Sequence, residues 1–422
     1  MREVMLVALS LTAPDDSQVT LHLADGALRP LPASDADKPG VAFQPLVKRL
    51  SGLTRDLYVD PTRGAGGLGR GRLTLANAEG QLLAYRGHAP DTVEVRRGTV
   101  DAAGRLTASW AGTARVFVGR AEPLRYDSST ERPASVSIDI YDERLDLEAA
   151  LQAATFDGSN TGADGYESTA GALQGQVKPE GLGDLSAGNT PAVWANQPRQ
   201  VAILRDGPVE QVVTIRDRGQ DANLTFAGDY SGQAFDDLTL NTGEYATDAG
   251  RGLVLVEANL AGPVTVDWRG DADGGYVDTA PAIVARLLAR RGVPPARIGA
   301  SFASLAAPQK IALYFDRQAR VREAVDLAAR SILAWVLPDL DNVWQIGFFR
   351  PPQGAPVETW TRFDVVSIEA GDRAPETPAA KITLRYARNY RPLSENEIAP
   401  ALSTEGDPAY DPDLVARLRE PW

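Results

Sequence analysis

Short apolar runs of strand length, each closed by turn chemistry, dominate the first 150 residues of this 422-residue chain. Leu73-Thr74-Leu75, Val93-Glu94-Val95, Val116-Phe117-Val118 and Val136-Ser137-Ile138-Asp139-Ile140 alternate or run apolar over a few positions. Successive strand side chains point to opposite faces, so runs this short can bury a sheet face but not a helical stripe. Asn77-Ala78-Glu79-Gly80, Arg97-Gly98, Ala103-Gly104 and Arg132-Pro133 stand between them and favour turns. Short strands at such spacing predict a barrel or sandwich over 1–153. Val4 to Leu11 is apolar enough to suggest the core of a signal peptide, but Glu3 stands where such signals carry positive charge. The reading adopted is a buried strand, a turn at Pro14-Asp15-Asp16 and a second strand over Val19 to Leu23.

A different texture begins near Gly171. Residues 171 to about 200 are rich in Gly, Pro, Asn and Ala without period and read as a long loop, so 154–200 is expected to be an extended glycine-rich arm. A loop of that length is usually functional or packed on something outside its own domain. Tyr166, Leu173, Leu182 and Trp194 are apolar residues that a solvated linker would not need. Tyr166, Leu173, Lys178, Pro179 and Trp194 are therefore the candidate interface residues. Val201, Ile203, Val212, Val213 and Ile215 flank the Asp206-Gly207-Pro208 turn and open a β-rich middle domain, 201–277. It continues through Leu253 to Val256 and Val264-Thr265-Val266.

From 278 onward the pattern turns mixed. Asp278-Thr279-Ala280-Pro281 has a capping residue and then proline in the first turn, and Ile283, Val284, Leu287 and Leu288 share one helical face. A second helix is expected from Gln318 to Val336, then strands over Val343 to Phe349, Val365 to Ile368 and Ile382 to Tyr386. The two helices are expected to pack against the strands Val343 to Phe349 and Ile382 to Tyr386. The fold class is thus mainly β with a mixed α/β C-terminal part, 278–422.

Composition narrows the chemistry. There is no cysteine, so disulfides, thiolate metal sites and cysteine nucleophiles are excluded, and His22 and His88 are the only histidines. Formal net charge is −13, which argues against sequence-independent binding to nucleic-acid phosphates, where affinity comes from Lys and Arg. No run approaches the roughly 18–20 apolar residues of a membrane span. Gly64-Ala65-Gly66-Gly67-Leu68-Gly69 matches a dinucleotide fingerprint, but a strand-like run follows where the mechanism needs a helix N-terminus. Asp271-Ala272-Asp273-Gly274 opens like a calcium loop, yet Gly275 and Ala282 fall where ligands are required. Arg269-Gly270-Asp271 is an integrin-type tripeptide that means little in isolation. Asp236-Asp237, or Asp139 with Asp142, could serve as a glycosidase acid and base, but nothing selects a pair among 56 acidic residues. Neither a catalytic residue nor a cofactor or metal is assigned.

Several segments resemble the hub, or tail-tip (baseplate hub), proteins of long-tailed bacteriophages and gene transfer agents. They are Arg72-Leu73-Thr74-Leu75-Ala76-Asn77-Ala78-Glu79-Gly80 and the loop Gly171-Ala172-Leu173-Gln174-Gly175-Gln176-Val177-Lys178-Pro179, with Gln176 where the first Lys is common. Asn189-Thr190-Pro191, Asp206-Gly207-Pro208, Gly228-Asp229-Tyr230, Gly243-Glu244-Tyr245-Ala246-Thr247, Gly262-Pro263-Val264-Thr265-Val266-Asp267 and Tyr386-Ala387-Arg388-Asn389-Tyr390 follow in the family's order. No single segment is specific; their order across most of the chain carries the resemblance.

The resemblance implies tail-tube-like β-barrel domains, discontinuous in sequence where necessary, and assembly into a ring without catalysis. The ring would be a homotrimer, with a hexamer as the alternative. It would join distal tail or tail-tube proteins to a central fibre or spike, in the virion tail tip after assembly in the host cytoplasm. DNA would pass through the channel without specific binding. A wall that repels phosphates needs net negative charge, and Glu94, Asp101 and Asp139 are its candidate carriers. The resemblance leaves open that the 422 residues are part of a longer chain. The alternatives are a β-rich glycan-active hydrolase, which would show two buried carboxylates about 5–10 Å apart in a cleft, and a secreted β-sandwich adhesin.

Overall fold

The computed structural model describes residues 1–54, 67–126, 133–161, 164–348 and 386–422. The protein is mainly β, built from several antiparallel sheets. Its first sheet has eight strands: β1 (Arg2–Thr12), β2 (Gln18–Ala24), β3 (Val47–Thr54), β4 (Arg70–Ala76), β5 (Ala89–Val100), β6 (Ala114–Ala121), β7 (Arg125–Tyr126) and β8 (Ser135–Tyr141). Strand order is β2-β1-β5-β6-β8-β4-β3, with β7 beside β8. That order is open, and among the described residues no closed barrel is found. One isolated parallel bridge joins Leu23 of β2 to Gln44, in the segment that leads into β3. Val7, Leu9, Leu11, Leu73, Leu75, Val93, Val95, Phe117, Ile138 and Ile140 form one core. The strand expected at Val4–Leu11 thus lies at the centre of β1, antiparallel to both β2 and β5.

After the short strands β9 (Ser159–Thr161) and β10 (Asp164–Thr169) come two five-stranded sheets. They contain β11 (Glu180–Pro191), β12 (Val193–Asn196), β13 (Val201–Ile203), β14 (Val209–Asp217), β15 (Gln220–Asp221), β16 (Thr225–Asp229), β17 (Glu244–Asp248), β18 (Leu253–Glu257), β19 (Val264–Asp271) and β20 (Ala312–Phe315). One sheet runs β15-β14-β19-β11-β20 and the other β12-β13-β18-β17-β16. Leu185, Ile215, Val264, Val266 and Trp268 of the first meet Val254 and Val256 of the second in a shared core. The Asp206-Gly207-Pro208 turn carries the chain from one sheet to the other, since β13 and β14 belong to different sheets.

The extended arm expected over 154–200 is overturned for residues 180–196. They form β11 and β12, and Phe156, Leu182, Leu185 and Ala195 are fully buried in core clusters. The glycines that read as loop chemistry are there for close packing. A β-carbon on Gly181 would stand 2.2 Å from the Trp268 ring, and one on Gly183 would stand 2.0 Å from the Ile311 carbonyl oxygen. Gly183 also has φ +79°, a left-handed conformation that glycine adopts without a steric penalty.

The helices are α1 (Gln233–Asp236), α2 (Ala280–Arg290), α3 (Ser301–Ser304), α4 (Val321–Ser331), α5 (Pro400–Ser403) and α6 (Pro412–Arg419). α2 starts as expected, with Thr279 at its N-cap and proline in its first turn. α4 is shorter than the expected Gln318–Val336 helix. Leu333 takes φ 56°, where an L-residue is strained and a helix cannot continue. Residues from Ala334 instead form β21 (Ala334–Pro338), paired with β22 (Trp344–Phe348). Ile283, Val284, Leu287, Val325, Ala328, Val336, Trp344 and Ile346 share one core. The strand expected over Val365 to Ile368 lies outside the described residues, as do residues 382–385; Tyr386 is exposed and outside any strand. Among the described residues no helix is long and apolar enough to cross a membrane.

Candidate functional site

A groove of about 700 Å³ opens where β9, β10, the turn at 170–177 and β12 come together. Phe156, Leu173, Val177, Pro179 and Trp194 give it apolar walls, and Asn160, Thr169, Gln176, Gln197 and Asp316 give it polar ones. Asn160 is structural: its amide donates to the Ala195 carbonyl and its oxygen accepts from the Glu167 backbone N–H. Thr169, Gln197 and Asp316 are exposed, and among the described residues their side chains have no hydrogen-bond partner.

Three of the five candidate interface residues, Leu173, Pro179 and Trp194, line this groove. The other two stand behind it. Lys178 Nζ lies 2.6 Å from Glu167 and 3.8 Å from Asp206, over the Phe156 ring. The Tyr166 hydroxyl donates to Asp236 at 2.7 Å and accepts from Arg199 at 2.8 Å. Burial, then the Asp236 hydrogen bond, push its pKa up to about 12. Arg251 packs its guanidinium over the same ring and donates to Asp236 and Asp248. Tyr166 and Lys178 are thus committed to partners within the chain.

The candidate carriers of channel charge are also committed. Glu94 accepts from Arg96 at 2.7 Å and from Arg115 at 2.8 Å. Asp139 lies 2.6 Å from Arg72 and 3.0 Å from Arg125, and the Arg72 hydrogen bond holds its carboxyl below the usual carboxylate range. Asp101 caps its own turn, accepting from the Ala103 and Arg105 backbone N–H groups. The arginines beside Glu94 and Asp139 offset their charge, whereas Asp101 has only backbone donors. Residues 1–153 hold 18 Lys or Arg and 20 Asp or Glu, whereas 154–277 hold 7 and 18. Nearly all of the net charge sits in the middle of the chain.

The acidic pairs weighed for hydrolysis each include a carboxylate with partners within the chain. Asp236 is clamped by Arg251 and Tyr166, and Asp142 accepts from the Gly69 and Arg144 backbone N–H groups. Among the described residues Asp316 is the one carboxylate lining the groove, while glycoside hydrolysis by the usual route needs two. His22 Nε2 sits 3.0 Å from Lys38 Nζ, and burial, then that cation, lower its pKa. His88 packs edge-on to Tyr85. Of the glycine fingerprint, Gly67 to Gly69 are described and lead directly into β4, a strand.

Sequence reasoning missed a buried charge network. Asp271 is fully buried and meets Arg205, Arg286 and Arg290 at 2.7–3.1 Å. Glu180 joins it through Arg205 and Arg290. Burial raises the Glu180 pKa against the pull of the two arginines, and the Asp271 charge adds to the rise. The network ties β11, β19, α2 and the turn after β13 together. The only sequence signal was Arg286 and Arg290, four apart on a helix otherwise apolar on that side. Asp271, the first residue of the would-be calcium loop, is thereby a guanidinium partner.

No protein-family model matches the chain, and no curated protein matches it.

Proposed function

We propose that the chain is a structural component of a phage tail tip or baseplate: a hub ring joining the tail tube to a distal fibre or spike, with a channel for DNA. The supporting observation is that two β modules with separate cores lie in one chain, one over residues 2–141 and one over residues 180–271 with β20. Two tube-like modules per chain let three chains continue a six-fold tube, so a homotrimer is the preferred state and a hexamer the alternative. Closed cyclic symmetry is the ordinary way identical chains surround a pore. The Leu23–Gln44 bridge brings β2, one end strand of the first sheet, beside the segment that leads into β3, the other end strand, which supports reading that module as tail-tube-like. The order of hub-like segments, from Arg72–Gly80 to Tyr386–Tyr390, supports the same reading.

The expected role is architectural, without turnover. The test is electron microscopy of the purified chain, alone and with the tail-tube protein of the same particle. Closed rings with an open pore are expected. A monomer that never forms rings under either condition, or release of sugars from purified envelope by this chain, would overturn the reading.

A further inference from the structure

The groove between β10 and β12 pairs apolar walls with polar groups, and among the described lining residues its charge is of one sign. Leu173, Val177, Pro179 and Trp194 supply apolar surface, and Thr169 and Gln197 supply uncommitted hydrogen-bonding groups beside it. Among the described residues, Asp316 is the only charged one lining the groove, and it is exposed with no ion pair to any of them. The basic residues next to the lining positions are all engaged. Lys178 is held by Glu167, Arg199 by the Tyr166 hydroxyl and the Phe235 carbonyl, and Arg317 by Glu323. Asp157, next to the lining residue Phe156, is exposed. The surrounding stretch, 154–277, has 7 basic residues against 18 acidic ones. The Asp316 charge and the apolar walls therefore favour a cationic occupant with apolar side chains in this open groove.

We propose that this groove is a docking site for an extended basic segment of a partner protein. Its apolar side chains would rest on Leu173, Val177 and Trp194, and a Lys or Arg would meet Asp316. Chain conformation costs little here, because Pro179 and the strands on either side already fix the walls. A neutral glycan would find aromatic surface and amides in the same groove, but it would leave Asp316 unanswered.

The inference does not require a ring, because it is measured on the isolated full chain. The probe is a fluorescein-labelled peptide of repeating Lys-Val-Lys-Pro, read by polarisation. The same peptide with Glu for Lys, and chitohexaose as competitor, serve as the contrasting ligands. The basic peptide is expected to bind saturably, more weakly as salt rises. Asp316→Lys and Gln197→Lys are each expected to weaken it about tenfold. Asp413→Lys, the same charge change on α6 outside the groove, is expected to leave binding within about twofold. Gln197 is exposed, so its variant tests the site even if the Asp316 variant fails to fold. Four results would overturn the proposal: no saturable binding, equal loss in Asp413→Lys, binding of the acidic peptide, or displacement by chitohexaose. Failure of the peptide test leaves ring formation standing, and failure to form rings leaves the peptide test standing.

Discussion

Asn389 shows how much one side chain can organise. Its amide nitrogen faces the carbonyls of Arg417, Leu418 and Glu420 at 2.9–3.1 Å, and its oxygen accepts from the Arg391 backbone N–H and the Asn189 amide. A C-terminal segment is thereby fastened to β11 through a residue 4% exposed. Asn389→Ala would orphan several buried groups at once. The expected loss is about 2–4 kcal/mol, from a handful of bonds at roughly 1 kcal/mol each, read as a lower urea midpoint. Asp236 makes a pH-dependent contribution. Burial works against its charge, but hydrogen bonds from Arg251 and Tyr166 win and lower its pKa. A carboxylate with a depressed folded pKa stabilises fully above its unfolded pKa and loses that contribution as pH falls through the folded value. Asp236→Asn should therefore melt lower than the parent at pH 7, and the gap should shrink below about pH 4. A gap that stays constant to pH 3 would show that the clamp acts through shape alone. Asn389 stood out in the sequence as part of Tyr386–Tyr390, yet nothing local revealed its partners, which lie up to 200 positions away.

Elements were legible where periodicity and capping agreed. α2 was readable from Thr279, Pro281 and the Ile283, Val284, Leu287 and Leu288 face, and all four of those side chains are buried. Leu287→Asp places an unpaired charge in that core and should cost about 3 kcal/mol or more. Parent-like melting of this variant would refute the packing. The end of α4 was not legible, because an apolar run continues through Ile332, Leu333 and Trp335, and composition does not announce a left-handed leucine. Leu333 is 61% exposed at φ 56°. Leu333→Gly should relieve the strain and raise stability by about 1 kcal/mol, checked by thermal melting. A lower melting temperature would show that the exposed leucine packs on something. β11 failed for the opposite reason. Its glycines have the composition of a loop, while their role is to admit Trp268 and the Ile311 carbonyl. Candidate groove residues fared likewise: the apolar Leu173 and Trp194 stood out against a polar loop, whereas Asp316, more than a hundred residues on, gave no sign of sharing their groove.

At the scale of the whole molecule, charge and topology are partitioned together. The first β module and the residues from 278 onward are close to neutral, with 18 basic residues against 20 acidic and 18 against 18. The middle stretch, 154–277, carries 7 against 18 and builds most of the second pair of sheets. Buried members of that excess are balanced, as Asp271 and Glu180 are by arginines. Asp164, Glu210, Asp221, Asp229, Asp237, Glu257 and Asp273 are exposed. DNA crossing a pore has to slide, and a basic wall would hold it by releasing counterions, with affinity falling steeply as salt rises. An acidic wall repels phosphates instead. If three or six copies close a ring, its channel should be walled by the second module, with the first module turned outward toward its neighbours. Glu94, Asp101 and Asp139 would then lie away from the DNA path. A reconstruction of the assembled particle measures this directly, by which side chains border the pore. A pore bordered by residues 1–153, or lined mainly by Lys and Arg, would sink the assignment even if the ring itself is present.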